Sequence, residues 1–122
     1  RKAAEQGHAT AQYNLGSMYQ KGAAMPQDFA QAARWHRQAA EQGDPRAQLE
    51  LGLLYARGEG VRKDLIKAYK WINLASAMAP LGETRALSTK ARNFLERRMS
   101  RPDITKSQRL SRDWMTKHRA KK

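Results

Sequence analysis

From Ala3 onward the chain repeats itself at a fixed distance. Ala3, Gly7, Ala11, Gln12, Leu15, Gly16, Tyr19 and Gly22 recur 36 positions later as Ala39, Gly43, Ala47, Gln48, Leu51, Gly52, Tyr55 and Gly58. The same offset relates Asp28, Ala32, Trp35 and Ala39 to Asp64, Ala68, Trp71 and Ala75. A unit this short cannot bury its own apolar face, so it stacks on its copy. The period therefore specifies an all-α solenoid of antiparallel helix pairs. The expected units are residues 3–38 and 39–74, followed over 75–122 by a divergent third unit and a C-terminal capping pair, all in one domain. Arg1 aligns with Arg37, inside a helix, so the chain is expected to begin in mid-unit.

Within each unit the first helix (helix A) carries its apolar residues on one face: Ala47, Leu51, Leu54 and Tyr55 in the second copy, and Ala11, Leu15, Met18 and Tyr19 in the first. Asp44 as N-cap and Pro45 at the first helical position predict a helix from Pro45 to about Arg57. Its counterpart starts near Ala9 without those aids. The second helices (helix B) are expected at 29–42 and 65–78, capped by Asp28 and Asp64, with Ala32, Trp35, His36 and Ala39 facing inward, as do Ala68, Trp71, Ile72 and Ala75. Glycine inside a helix costs about 1 kcal/mol relative to alanine. Its repetition at Gly16 and Gly52 predicts close helix contacts there. Ala24 stands where the other loop has Gly60, so that turn must be strained or rerouted.

The third unit keeps the register but not the details. Leu87 falls at the Leu15/Leu51 position and Ser88 at the glycine. Phe94 replaces the glycine that ends the earlier A helices, so this helix is expected to run to about Arg98. Ser100 with Asp103 forms a capping box for a last helix, on which Ile104, Ser107, Ser111, Trp114 and Met115 share a face. Residues 119–122 are expected to fray.

Composition narrows the functional classes. The 122 residues contain no cysteine, which excludes disulfides and thiolate metal sites. No apolar run approaches the ~18 residues of a membrane span. The net charge is +13, of which residues 85–122 supply +10. A nearly balanced repeat body with a basic end invites an acidic partner. His8, His36 and His118 have no ligand partner at helical spacing, Asp28 and Asp64 are periodic and hence structural, and no G-K-[ST] follows Gly58 and Gly60. No cofactor, metal or catalytic residue is expected.

The string A-x-x-x-G-x-x-x-A-Q-x-x-L-G-x-x-Y-x-x-G, followed by D, A and W-x-x-x-A, resembles the Sel-one-like repeat (SLR) family, relatives of the tetratricopeptide repeats. The resemblance covers the two full units, and the stretch from Arg85 to Trp114 resembles the divergent ending of many bacterial members. Ala24 departs from the family loop, and the cysteine pairs of some secreted members are absent. The resemblance implies a right-handed superhelix whose concave face, largely built by A helices, binds peptides or protein surfaces. It also implies a non-enzymatic adaptor, and, since many bacterial members are exported, a place in the cell envelope.

Two surfaces then compete as the binding site. Residues fixed by the fold recur, whereas Thr10, Tyr13, Asn14 and Ser17 are exchanged for Arg46, Leu49, Glu50 and Leu53 on the outward side of the A helices. With Arg57 they are expected to form the protein-binding face, Leu49 and Leu53 as exposed apolar anchors and Arg46 and Arg57 reading acidic side chains. The second surface is the last helix, where Arg101, Arg109, Arg112 and Arg119 fall within about 80°. With Arg92, Arg97, Arg98, Lys106 and Lys117 they are expected to form a basic wall able to attract anions or nucleic acid. The paired Trp35/Trp71 and Tyr19/Tyr55 are read as core rather than as base-stacking platforms.

Overall fold

The computed structural model describes Ala4, residues 7–118 in full and the backbone of 119 and 120. The helical continuation expected at Arg1 lies outside these, as do 121 and 122 of the end expected to fray over 119–122; the backbone of 119 and 120 is still helical. Among the described residues there are six helices and no strand: α1 Ala9–Lys21, α2 Phe29–Glu41, α3 Pro45–Arg57, α4 Leu65–Met78, α5 Glu83–Glu96 and α6 Arg101–Ala120. Helices α1, α3 and α5 are A helices, and α2, α4 and α6 are B helices. Each helix from α1 to α5 packs against the next in order, which gives the expected solenoid. None is long and apolar enough to cross a membrane.

The recurring polar residues set where helices start and how units join. Asp28 accepts from the Gln31 amide and Asp64 from the Lys67 amide, each at 3.0 Å, while Asp44 accepts from the Arg46 amide at 3.0 Å. These contacts satisfy first-turn N–H groups that have no partner inside their helices. The buried pair Gln12 and Gln48 each donate to a carbonyl eight residues upstream, Ala4 and Ala40, at 3.0 and 3.2 Å. Burial of an amide side chain is tolerated there because it completes an otherwise open helix end.

Both in-helix glycines lie at contacts that leave no room for a side chain. A Cβ on Gly52 would sit 2.5 Å from Ile72 Cγ1 and 3.0 Å from the Ala68 carbonyl, and one on Gly16 would sit 2.8 Å from the His36 ring. Trp35 and Trp71 are buried at equivalent places. The Ala24 turn resolves in favour of strain: Ala24 holds φ at 66°, close to the 74° of Gly60.

The capping pair diverges in packing as well as in sequence. Helix α6 docks along α4 instead of folding back along α5. Counting 36 from Trp35 and Trp71 leads to Ser107, where the third unit has no tryptophan. Ser107 Oγ lies 3.1 Å from the Ile66 carbonyl, and Ser111 Oγ lies 3.1 Å from the Lys70 carbonyl. These small hydroxylated residues bring α6 close to α4. Tyr69, whose counterpart in the first copy is Ala33, fills the space between α5 and α6 and donates to Glu96 at 2.5 Å. Burial and that bond raise the Tyr69 pKa. Trp114 closes the end of the core, edge-on to Trp71 with centroids 6.0 Å apart, its indole N–H bonded to Glu41 at 2.8 Å.

Leu87 pays for this rearrangement. Leu15 packs against Trp35 of its own B helix and is 5% exposed, and Leu51 is 0% exposed. Leu87, at the same register but with neither tryptophan nor helix returning over it, is 47% exposed.

Candidate functional site

The A helices stand side by side, and the side chains that differ between copies connect them. The Arg46 guanidinium lies 4.4 Å from the centre of the Tyr13 ring, and Gln20 donates to Glu50 at 3.2 Å. Through its other amide atom Gln20 reaches His36 Nε2 at 3.1 Å. His36 fills the place of Ile72, its ring over Gly16 and 5.4 Å from the centre of Tyr13. Burial lowers its pKa from 6.5 to about 4, with the Asp44 carboxylate opposing the shift. The imidazole is therefore neutral at physiological pH, part of the packing between α1 and α2.

The expected site residues fall into three groups. Thr10, Asn14 and Arg57 are exposed, and Tyr13, Ser17, Glu50 and Leu53 are half-buried. Leu49 corrects the expectation of an exposed anchor: it is 6% exposed and belongs to the main core. Its position is outward on α3 taken alone, but α5 lies alongside and covers it. Arg46 is also not free to read acidic side chains. Its Nη2 is 3.1 Å from Asp44 Oδ2 while its plane rests on Tyr13, so this residue clamps two units together. Arg57 makes one loose contact, 3.8 Å from Glu59.

Between α3 and α5 an apolar recess of about 360 Å³ opens to solvent. Leu49 and Leu53 line one wall and Leu87, Ala91 and Phe94 the other, with Glu50 and Lys90 at its polar edge. Phe94 is 51% exposed, and its ring carries the Arg98 guanidinium at 3.6 Å. The importance of Leu87 and Phe94 was not read from the period, which assigned one to the core and the other to helix extension. A signal was present: Phe94 is an aromatic residue with glycine at both equivalent positions.

The basic wall is less continuous than its sequence. Arg101, Arg109 and Arg112 are exposed on α6, and the side chain of Arg119 lies outside the described residues. Arg92 contacts Glu96 at 4.0 Å, and Arg98 is tied to Phe94. Lys117 turns toward a polar pocket that also holds Glu41, Lys70 and Asp113, where burial lowers the Lys70 pKa against the influence of Glu41. Among the described residues no group of three or more His, Asp or Glu side chains could hold a metal ion.

Stacked helix pairs with a side-chain surface along the A helices define an α-solenoid repeat protein. The Sel1 repeat model matches residues 1–8, 9–44 and 45–79, and the chain belongs to that family. Its fold is similar to the crystal structure of a protective antigen from uropathogenic Escherichia coli strains displaying an SLR fold. That match has 36% identity and a TM-score of 0.88 over 97% of this chain and 24% of that one. A Sel1 repeat protein from Oxalobacter formigenes matches at 39% identity and a TM-score of 0.70, over 76% of this chain and 25% of that one. The chain thus spans about a quarter of the length of these solved relatives. No curated protein matches it. The family points to a protein–protein interaction scaffold.

Proposed function

We propose that the chain is a non-enzymatic scaffold segment that holds a partner protein on its A-helix face, the concave side of a solenoid. The observation that carries this reading is the recess between α3 and α5, where Leu87 and Phe94 stay half-exposed beside Leu53. Apolar side chains gathered at one opening are a standing gain in free energy for any surface that covers them. Polar residues of the kind catalysis uses are committed elsewhere: Asp28 and Asp64 cap helices, and His36 is buried against α1.

The test is photo-cross-linking in the whole protein within its native source. A benzophenone amino acid is placed at Asn14 or Leu53 on the A-helix face, and at Arg112 on α6. Protein adducts at the first two positions and none at Arg112 are expected. Adducts at Arg112 alone, or adducts to nucleic acid, would place function on the basic cap.

A further inference from the structure

The recess is specific to this chain's divergent third unit, and its shape and charge indicate what it takes. Its α5 wall exists because α6 does not return along α5, as α2 does along α1 and α4 along α3, and because Phe94 replaces a glycine. Leu87, Ala91 and Phe94 fall at i, i+4 and i+7, so the apolar wall is about 10 Å long, two helical turns. Leu49 and Leu53 face it, also one turn apart.

Such a surface favours a helix over an extended strand. The walls are helices whose backbone groups are already paired, so an extended peptide pressed into the recess would lose water from its N–H and C=O groups without replacement. A helix arrives with those bonds made and offers apolar side chains at the same one-turn spacing. Charge sets the second requirement. Lys90 lines the recess, and Arg98 lies on the ring of Phe94. Arg57 stands exposed in the last turn of α3, the wall that carries Leu53. Glu50, the one acid lining the recess, is engaged by Gln20. A second copy of this chain, at +13, would bring like charge to a basic opening.

Resting on the reading that the A-helix face binds protein, we propose that the α3–α5 recess receives an acidic amphipathic helix of another protein. Two or three bulky apolar side chains would enter between Leu53 and Phe94, and carboxylates along the flanks would meet Lys90, Arg57 and Arg98.

The experiment uses the full chain and three fluorescein-labelled helical peptides of about 18 residues, read by fluorescence anisotropy at physiological salt. One carries leucines on a single face and glutamates on the other. In the second, lysines replace the glutamates, and in the third, serines replace the leucines. The first should bind and the other two should not. Phe94→Ser and Leu87→Ser should each weaken binding at least tenfold. Because both side chains are half-exposed, their unfolding midpoints should stay near that of the parent chain. Lys90→Glu should weaken the glutamate peptide and admit the lysine peptide, a reversal that loss of folding cannot produce.

Unchanged affinity in Phe94→Ser would overturn the proposal, as would equal binding of the serine peptide, which would reduce the interaction to charge alone. Concentration-dependent dimerisation that Phe94→Ser abolishes would also overturn it, assigning the recess to a second copy. If no peptide binds while cross-links at Leu53 persist, the acidic helix is wrong and the face is right. If both are absent, both readings fall.

Discussion

Replacing His36 with the isoleucine that its copy carries at position 72 should make the fold less sensitive to acid. The ring is fully buried, its Nδ1 has no partner, and burial lowers its pKa from 6.5 to about 4. As pH falls, the unfolded chain takes up a proton on this ring near pH 6.5, and the folded chain only near pH 4. Between those values the unfolded state binds more protons, so stability rises with pH and declines on acidification. The stabilising difference is fully present above pH 6.5 and gone below pH 4. At ~1.4 kcal/mol per pH unit, the loss at about pH 4.5 amounts to roughly 2–3 kcal/mol. Urea unfolding followed by tryptophan fluorescence, at about pH 7.5 and about pH 4.5, measures it in the parent and in His36→Ile. Carboxylates titrate in both proteins, so the change in their stability difference isolates the imidazole. That difference should move by roughly 2–3 kcal/mol in favour of the isoleucine variant at the lower pH. Equal pH dependence in the two proteins would refute a buried neutral histidine at this joint.

Other substitutions test the packing on which the A-helix face depends. Gly52→Ala should destabilise by ~1–3 kcal/mol despite alanine's better helix propensity, because its Cβ would meet Ile72 and the Ala68 carbonyl. A neutral or raised thermal midpoint would remove the contact's significance. Ala24→Gly should stabilise by about 1 kcal/mol by relieving positive φ, a gain that calorimetry would resolve. Leu49→Ser should cost roughly 2–5 kcal/mol, as truncation of a buried leucine does, whereas half-exposed Leu53→Ser should cost far less. Equal losses in urea unfolding would contradict the distinction between core and surface drawn for this pair.

The period made much of the fold legible because its recurring residues act locally. Asp28, Asp44 and Asp64 begin helices, Gly22 and Gly58 end them in left-handed conformations, and Gly52 admits α4, all within one unit or its immediate neighbour. The binding face was legible only in part. Leu49 and Leu87 are the instructive pair: one was read as surface and is buried, the other stands at a core register and is exposed. Whether a side chain is covered depends on which helix arrives beside it, and helical periodicity on α3 or α5 says nothing about the course of α6. Here α6 runs along α4, where the small Ser107 and Ser111 let it come within 3.1 Å of the Ile66 and Lys70 carbonyls. The substitution of serine for tryptophan 36 residues after Trp71 was visible in the sequence, but its consequence for Leu87 requires the tertiary contact. Arg46 shows the same limit, since its charge could be counted from the sequence but not its engagement with Asp44 and Tyr13.

Leucine methyl resonances, recorded for the full chain with and without the partner captured by cross-linking, bear most directly on where that partner sits. Leu53 and Leu87 should shift strongly, with Leu49 beneath them shifting less, and Leu110 on α6 should stay in place. Shifts confined to Leu110, with Leu53 and Leu87 unmoved, would contradict binding on the A-helix face.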